Sequence, residues 1–297
     1  MIVDIHELLS PELVNSVRGL ELIAKTVAEG YVHGLNKSLV LGTGGEFSQY
    51  RSYEPGDDLR LIDWKLYGRS ERYYTKLAEE DTNIKVKFML DASNSMLHEQ
   101  AGLSKFDFAK TLVASLGYVA FHQGDAIGVF GINDGSISSY PCRVQKLFSN
   151  FLYQLLDIEP AGKWPLSFDS VELLHQPGAK ELIVMISDMY QKEDEIYSTV
   201  KRLKTNLNEV MFLQIFTKDE LEFNYKGVVA FEDLETGDVV KVHAKDARAS
   251  YLNLVKQYQS EVKDRLLDIG VYWERFVVGE SLSETLPAFL KKRSQLL

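Results

Sequence analysis

Short apolar stretches alternate with segments of helical periodicity from residue 83 onward, and this alternation constrains the fold more than any other feature. The apolar stretches are residues 84–90, 126–132, 182–186, 210–216 and 272–278. Strands that alternate with amphipathic helices build a mostly parallel sheet with helices on both faces. We therefore predict an α/β fold for residues 83–297, with additional hairpins at 126–140 and 228–243.

Residues 1–82 follow a different pattern and are predicted to form an N-terminal α+β extension. Ser10 and Pro11 suit the N-cap and first position of a helix, and apolar residues at helical spacing continue to Gly30. A glycine-rich stretch follows, and then a segment dense in aromatic residues and in charges of both signs. We predict that this extension braces the main domain at residues 83–297.

Asp91, Ser93 and Ser95 follow the first apolar stretch of the main domain at every second position. Small, turn-prone residues between them let the loop fold back, so that the three side chains converge. Carboxylate and hydroxyl oxygens are hard donors, which suit Mg²⁺, Ca²⁺ or Mn²⁺ better than zinc or copper. With one formal charge, such a site would hold an ion weakly and leave positions open for an acidic side chain of another molecule. In the alternative, these residues only cap the strand and the next helix.

The composition argues against several classes of function. Acidic residues number 43 against 33 basic ones, and the net charge of −10 opposes binding to nucleic acid. Cys142 is the only cysteine, which excludes an internal disulfide and a cysteine-based zinc site. No apolar run approaches the roughly 18–20 residues that span a bilayer, and the first residues lack a secretory pattern. We expect a cytoplasmic protein without direct membrane insertion.

A second motif precedes the Asp91 loop, since residues 51–64 read RSYEPGDDLRLIDW. With this motif and with DASNS at residues 91–95, the chain resembles the bacterial family called domain of unknown function 58. The resemblance implies a main domain like the von Willebrand factor A-type domain, which is a Rossmann-like, mostly parallel sheet flanked by helices. It also implies a partner, because members of the family are typically encoded beside MoxR-type AAA+ ATPases and are thought to act with them as adaptors.

The same resemblance implies a metal-ion-dependent adhesion site. Asp91, Ser93 and Ser95 match the first part of this site, and Asp188 matches its last part. The middle part usually has a threonine after a glycine pair, whereas the connection here reads AGKW. We hypothesise that the ammonium of Lys163 lies near Asp91 and Asp188 and replaces the metal charge. The site would then be degenerate and would bind Mg²⁺ weakly or not at all.

In the second motif, charged residues are interleaved with apolar ones. Asp57 and Asp63 each lie three residues from Arg60, so local ion pairs are available on either side. We interpret these three residues and Trp64 as structural, pinning the extension to the main domain. Binding of a partner is the alternative.

These observations favour a non-catalytic interaction or adaptor module over an enzyme. The Asp91 loop would dock an acidic residue or a loop of a MoxR-type ATPase that assembles or remodels client proteins. The alternative is a Mg²⁺-dependent phosphate-ester hydrolase that uses Asp91 and Asp188. It is less favoured because haloacid-type phosphatases have a second carboxylate as general acid where this chain has Ser93. Motifs of phosphate-binding loops, serine hydrolases and zinc proteases are absent from the sequence.

Overall fold

The structure is a computed structural model that describes residues 9–39, 49–53, 62, 64–77, 84–134, 137–164, 181–189, 193–234 and 236–294. The chain forms two compact units. The main unit comprises residues 1–31 and 84–297, and the smaller unit comprises residues 32–83. The boundary predicted at residues 82 and 83 therefore lies close to one of the observed boundaries. Residues 1–31 differ from the prediction, because they belong to the main unit.

The described helices and strands are numbered here in chain order. The strands are β1 (Gln49–Ser52), β2 (Tyr74–Leu77), β3 (Lys85–Asp91), β4 (Glu99–Gln100), β5 (Leu103–Ser104), β6 (Ala126–Ile132), β7 (Ile137–Arg143), β8 (Glu181–Ser187), β9 (Asn208–Phe216), β10 (Val228–Glu232), β11 (Val239–His243) and β12 (Tyr272–Val277). The helices are α1 (Pro11–Val14), α2 (Val17–Leu39), α3 (Trp64–Ser70), α4 (Lys105–His122), α5 (Phe148–Leu156), α6 (Glu193–Leu203), α7 (Lys218–Glu222), α8 (Ala244–Asp268) and α9 (Leu282–Ser294).

The main unit is built on a six-stranded sheet with the strand order β12-β9-β8-β3-β6-β7. All neighbouring strands are parallel except β7, which pairs antiparallel with β6. Every residue of β8 is buried, and so are six of the seven residues of β3, as expected for strands covered on both faces. The predicted α/β fold with a mostly parallel sheet and flanking helices is confirmed.

Helices cover both faces of this sheet because successive side chains of a strand point to opposite sides. On one face, Met89 belongs to an apolar cluster with Ile196 of α6 and Val262 of α8. On the other face, the ring of Phe88 lies 5.8 Å from that of Phe151 in α5. The two layers bury the central strands and leave their carboxyl ends as the place where polar side chains collect.

The N-terminal helices explain why residues 1–31 join the main unit. Ser10 accepts a hydrogen bond from the backbone of Leu13, and Pro11 occupies the first turn, as predicted. Val14, Leu20, Ile23, Ala24 and Val27 are fully buried or nearly so. An apolar stripe of this kind needs a core to cover it, and hydrophobic periodicity alone does not say which core that is.

The smaller unit contains an antiparallel pair, β1 with β2, and helix α3. Tyr67 stacks on Tyr73 with ring centroids 4.4 Å apart. Trp64, predicted to have a structural role, begins α3, is 59% exposed and lies edge-on to Tyr67. The other residues singled out in this motif, Asp57, Arg60 and Asp63, lie outside the described residues.

A second antiparallel hairpin, β10 with β11, lies outside the main sheet. Its two strands and the turn at Gly237 agree with the prediction, and Gly237 has the positive φ of +75° that favours glycine. Phe231 pairs with Val240 and Val229 with Val242, so these four apolar side chains share one face.

Candidate functional site

The predicted site residues meet at the carboxyl edge of the sheet because β3 and β8 are parallel neighbours. Leu90 pairs with Ile186, so Asp91 and Ser187 end the two strands side by side. Open α/β sheets usually bind their ligands at this edge. Asp188 directly follows β8, and the loop after β3 turns back through a 3₁₀ helix at Asn94–Leu97.

Hydrogen bonds join the four predicted ligands into one network. The backbone N–H of Ser93 donates to Oδ1 of Asp91 at 3.0 Å, and the hydroxyl of Ser187 donates to Oδ2 at 2.5 Å. The hydroxyls of Ser93 and Ser95 are 3.0 Å apart, and Ser95 donates to Oδ1 of Asp188 at 3.2 Å. Sequence reasoning therefore found four side chains that the fold brings together.

Burial is the feature of this network that differs from the expectation. Asp91, Ser93 and Asp188 have no exposed surface, and only Ser95 is partly exposed. A residue of another molecule therefore cannot reach the two carboxylates in this arrangement. The predicted docking of an acidic partner residue directly onto Asp91 is not what the geometry offers.

A lysine from the next helix supplies the positive charge of the site. The ammonium of Lys105 lies 3.1 Å from Oδ2 of Asp188 and 2.5 Å from Oε1 of Glu220. Lys105 is the first residue of α4 and is 1% exposed. A cation at a helix N-terminus opposes the helix dipole, so the two carboxylates must offset both this repulsion and the lost hydration.

Glu220 is held in place by its own helix. It forms a capping box with Thr217, whose backbone N–H donates to Oε2 of Glu220 at 2.6 Å. Its other oxygen remains for Lys105. The ion pair therefore joins three elements, namely the start of α4, the end of β8 and the start of α7.

Burial and neighbouring charges shift the pKa values of this network. Burial, and next the charge of Asp188, raise the pKa of Asp91 to about 7, against the lowering effect of the hydrogen bonds from Ser187 and Ser93. For Lys105, burial is the largest single effect and lowers the pKa, but the charges of Asp188 and Glu220 and the hydrogen bonds to them together outweigh it, so the net pKa is raised. Lys105 therefore stays protonated, whereas Asp91 changes its charge near neutral pH.

The structure assigns the internal cation to Lys105 rather than to Lys163, which corrects our hypothesis. Lys163 is exposed, and its carbonyl accepts a hydrogen bond from the backbone N–H of Asp134 at 2.6 Å. The connection that contains it does lie against the Asp91 loop, because the carbonyl of Gly162 accepts from the N–H of Asn94 at 2.9 Å. The backbone follows the expected path, but Lys163 is exposed whereas Asp91 and Asp188 are fully buried.

The close approach of Gly162 to the side chain of Asp134 gives a prediction. The φ of Gly162 is +61°, and a Cβ at this position would meet the carboxylate of Asp134. We expect Gly162→Ala to lower the free energy of unfolding by about 2 kcal/mol, from backbone strain and from displacement of Asp134. Gly237→Ala is the matched control, because its φ is +75° but its Cβ would meet nothing within 4 Å. It should cost about 1 kcal/mol in urea unfolding, and equal losses would contradict a tight contact at Gly162.

Further residues hold Asp188 in position. The side-chain amide of Gln214 donates to the carbonyl of Asp188 at 3.1 Å and accepts from the indole of Trp273 at 3.0 Å. Met189 adopts a positive φ of +62°, and its carbonyl accepts a hydrogen bond from the hydroxyl of Tyr258. A non-glycine residue in this conformation needs such support from its surroundings.

The site residues do not fit a divalent cation in the present arrangement. All four carboxylate oxygens of Asp91 and Asp188 accept hydrogen bonds, and the ammonium of Lys105 already contacts Asp188. A metal ion beside this ammonium would be repelled. The described residues also contain no group of three or more His, Cys, Asp or Glu side chains suited to hold a metal ion.

The fold and site define a class of protein. It is a mixed α/β domain in which a buried lysine, Lys105, neutralises the carboxylates of Asp188 and Glu220 at the carboxyl edge of the sheet. The chain belongs to the family described as "Protein of unknown function DUF58", whose model matches residues 49–261. Uncharacterized protein Rv1480 of Mycobacterium tuberculosis is 24% identical over 233 residues, covering 77% of this chain and 73% of the relative. An uncharacterized protein of Mycobacterium bovis shows the same identity and coverage.

Two solved structures are similar to this chain at low identity and low TM-score. The protein BatB from Bacteroides thetaiotaomicron is 16% identical, with a TM-score of 0.46 over 71% of this chain and 99% of that one. An aerotolerance-related membrane protein from Bacteroides fragilis is 18% identical, with a TM-score of 0.48 over 72% of this chain and 100% of that one. In the part of this chain that the structure describes, no helix combines the length and hydrophobicity that crossing a bilayer requires.

Proposed function

We propose that this chain is a non-catalytic protein-interaction module, an adaptor with a von Willebrand factor A-like main domain. The pairing of Lys105 with Asp188 and Glu220 carries this proposal. The ammonium of Lys105 would take the role that a metal ion has in the adhesion-type sites of von Willebrand factor A-type domains. The module is then ready to bind a partner without Mg²⁺, and its cation site is degenerate.

The docking face lies around the buried network rather than on it. Ser95 and His98 are partly exposed beside the network, and Leu97 is 44% exposed in the same loop. An exposed leucine next to a rigid, hydrogen-bonded loop is a suitable anchor for a partner. We propose a MoxR-type AAA+ ATPase as this partner, acting with the module in the assembly or remodelling of client proteins.

A binding measurement with purified MoxR-type ATPase tests this proposal. The wild-type adaptor should bind the ATPase saturably without Mg²⁺ bound to the adaptor itself. Leu97→Asp should weaken this binding roughly tenfold, because a charge replaces an apolar anchor. Leu267→Asp is the matched control, since Leu267 is 48% exposed near the end of α8, before β12 begins at the opposite edge of the sheet. No binding by the wild type, or equal losses in both variants, would refute the proposal.

Hydrolysis of phosphate esters is the competing function, and the hydrogen bonds weigh against it. A nucleophilic Asp91 would need an accessible oxygen, but the residue is fully buried and both its oxygens accept hydrogen bonds. Turnover of p-nitrophenyl phosphate that requires Mg²⁺ and disappears in Asp91→Asn would favour the hydrolase instead.

A further inference from the structure

A cleft beside the buried network carries the further inference. Its volume is about 570 Å³, within the usual range of ligand sites. Ser95, Lys105, Asp188 and Glu220 of the buried network line part of it. The β10–β11 hairpin and the first turns of α8 also line it, and they contribute Phe231, Val240, Val242, Ala247 and Tyr251. We call this space the hairpin cleft.

Interlocked aromatic rings give the hairpin cleft a rigid apolar wall. Phe223 lies 4.7 Å from Tyr251 and 5.8 Å from Phe231 between ring centroids, and Tyr225 is edge-on to Phe231 at 5.1 Å. Phe223 itself is buried, whereas Val240 on the same wall is 60% exposed. The wall therefore presents apolar surface to an open space, and the energetic gain from covering it is available to a ligand.

The charge of the hairpin cleft selects for a cation. Among its described lining residues, five bear carboxylates and Lys105 is the single lysine or arginine. Lys105 is already paired with Asp188 and Glu220, so its charge is offset inside the site. The carboxylates of Glu232, Asp233 and Asp238 also line the cleft, and those of Asp233 and Asp238 each accept a hydrogen bond from the neutral Thr236, which leaves their charge in place.

The pKa of Tyr225 reflects the same negative surroundings. It is raised by burial first, and then by the charges of Asp219 and Glu220. Electrostatic complementarity therefore disfavours an acidic ligand and favours a basic one.

We propose that the hairpin cleft receives an arginine side chain, flanked by apolar residues, from a segment of a partner protein. Guanidinium is the cation that fits both features, because it stacks on aromatic rings and forms paired hydrogen bonds with carboxylates. The apolar neighbours of the arginine would cover Val240 and the aromatic wall. This inference rests on the proposed interaction function and names the chemistry of the segment that the module binds.

Fluorescence anisotropy with the full chain and a labelled peptide, Ser-Leu-Arg-Leu-Ser, tests the inference. We expect saturable binding that weakens as salt is added. Replacing the central arginine with glutamate should weaken binding at least roughly tenfold, because the carboxylates then repel the probe. Replacing it with lysine should weaken binding by a smaller factor, because stacking and paired hydrogen bonds are lost.

Two valines of the hairpin provide matched variants of the protein. Val240→Lys places a cation on the cleft wall and should weaken binding of the arginine peptide roughly tenfold. Val228→Lys adds the same charge on the outer face of the hairpin, where Val228 is 70% exposed and pairs with His243, and should leave binding nearly unchanged. Because both positions are exposed, both variants should unfold at the same urea concentration as the wild type.

The outcomes separate this inference from the proposed function. No binding of the arginine peptide, tighter binding of the glutamate peptide, or equal losses in the two lysine variants would overturn the cleft assignment. ATPase binding that persists in Val240→Lys while the peptide fails to bind leaves the adaptor function standing and removes the cleft. Peptide binding without any ATPase binding leaves the cleft standing and removes the ATPase as partner.

Discussion

Lys105→Met is expected to destabilise the fold by about 3–5 kcal/mol at neutral pH, because one partner of a buried ion pair is removed and the others remain. Asp188 is fully buried, and the side chain of Glu220 is 13% exposed, so water cannot fully solvate the two carboxylates that lose their cation. Methionine replaces the aliphatic part of the lysine and leaves only the position of the ammonium empty, so packing is nearly unchanged. The loss should shrink at low pH, where the carboxylates become protonated.

The same variant should acquire a response to divalent cations. Without the ammonium, Asp188, Glu220 and Ser95 present hard oxygen donors around a vacated position, which suit Mg²⁺ or Mn²⁺. Urea unfolding with and without these ions measures the effect, since an ion that binds only the folded state raises its stability. Wild-type stability should not respond.

Lys110→Met is the matched control for this experiment. Lys110 is also a buried lysine of α4, but its partner Asp107 has a side chain that is 18% exposed, and its other partner is the neutral side chain of Asn15. We expect a smaller loss, of about 1–2 kcal/mol, and no response to Mg²⁺ or Mn²⁺. Equal losses in the two variants, with no effect of the ions on Lys105→Met, would show that Lys105 does not replace a metal charge.

The meeting of Asp91 and Asp188 was predicted from the resemblance to adhesion-type sites, in which they match the first and last parts. Hydrophobic periodicity adds that each follows an apolar stretch that forms a buried strand, and parallel neighbours end at one edge of a sheet. Periodicity alone does not show that β3 and β8 are neighbours, because β6 and β7 lie between them in the chain. It did locate the β10–β11 hairpin, because the strands and the glycine turn are local features.

The identity of the internal cation could not be predicted in the same way. Lys105 is 83 residues from Asp188 and 115 residues from Glu220, so their contacts depend on how the helices pack. Lys163 was chosen because it lies in the connection that approaches the loop, but backbone position does not determine where a side chain points. One signal was available, since a lysine in the first turn of a helix opposes the helix dipole.

The burial of Asp91 was also beyond sequence reasoning, and it has a measurable consequence. The pKa of Asp91 is raised from 3.8 to about 7 in the folded protein. Between these values the unfolded chain has lost the proton while the folded protein retains it, so raising the pH favours unfolding. We expect the contribution of Asp91 to stability to fall from about pH 4 to about pH 7, by up to about 4 kcal/mol, and to stay constant above that range.

Asp91→Asn should remove this part of the pH dependence. The asparagine mimics the protonated acid, because its oxygen can accept from the N–H of Ser93 and its amide can donate to Ser187. Urea unfolding across this pH range should show similar stability of variant and wild type near pH 4, and a variant that becomes progressively more stable than the wild type up to about pH 8. Asp246→Asn is the control, because this side chain is 83% exposed and keeps its hydration on folding.

The direction of this difference separates a neutralised structural site from a metal site. If Asp91 binds a cation, its ionisation stabilises the folded state, and replacing it with asparagine should lower the stability at pH 8 in the presence of Mg²⁺. If Asp91 is only buried beside Asp188, its ionisation destabilises the folded state, and the same replacement should raise the stability. The metal-dependent interpretation of the Asp91 loop would be restored if Asp91→Asn were less stable than the wild type at pH 8 and if added Mg²⁺ widened that difference.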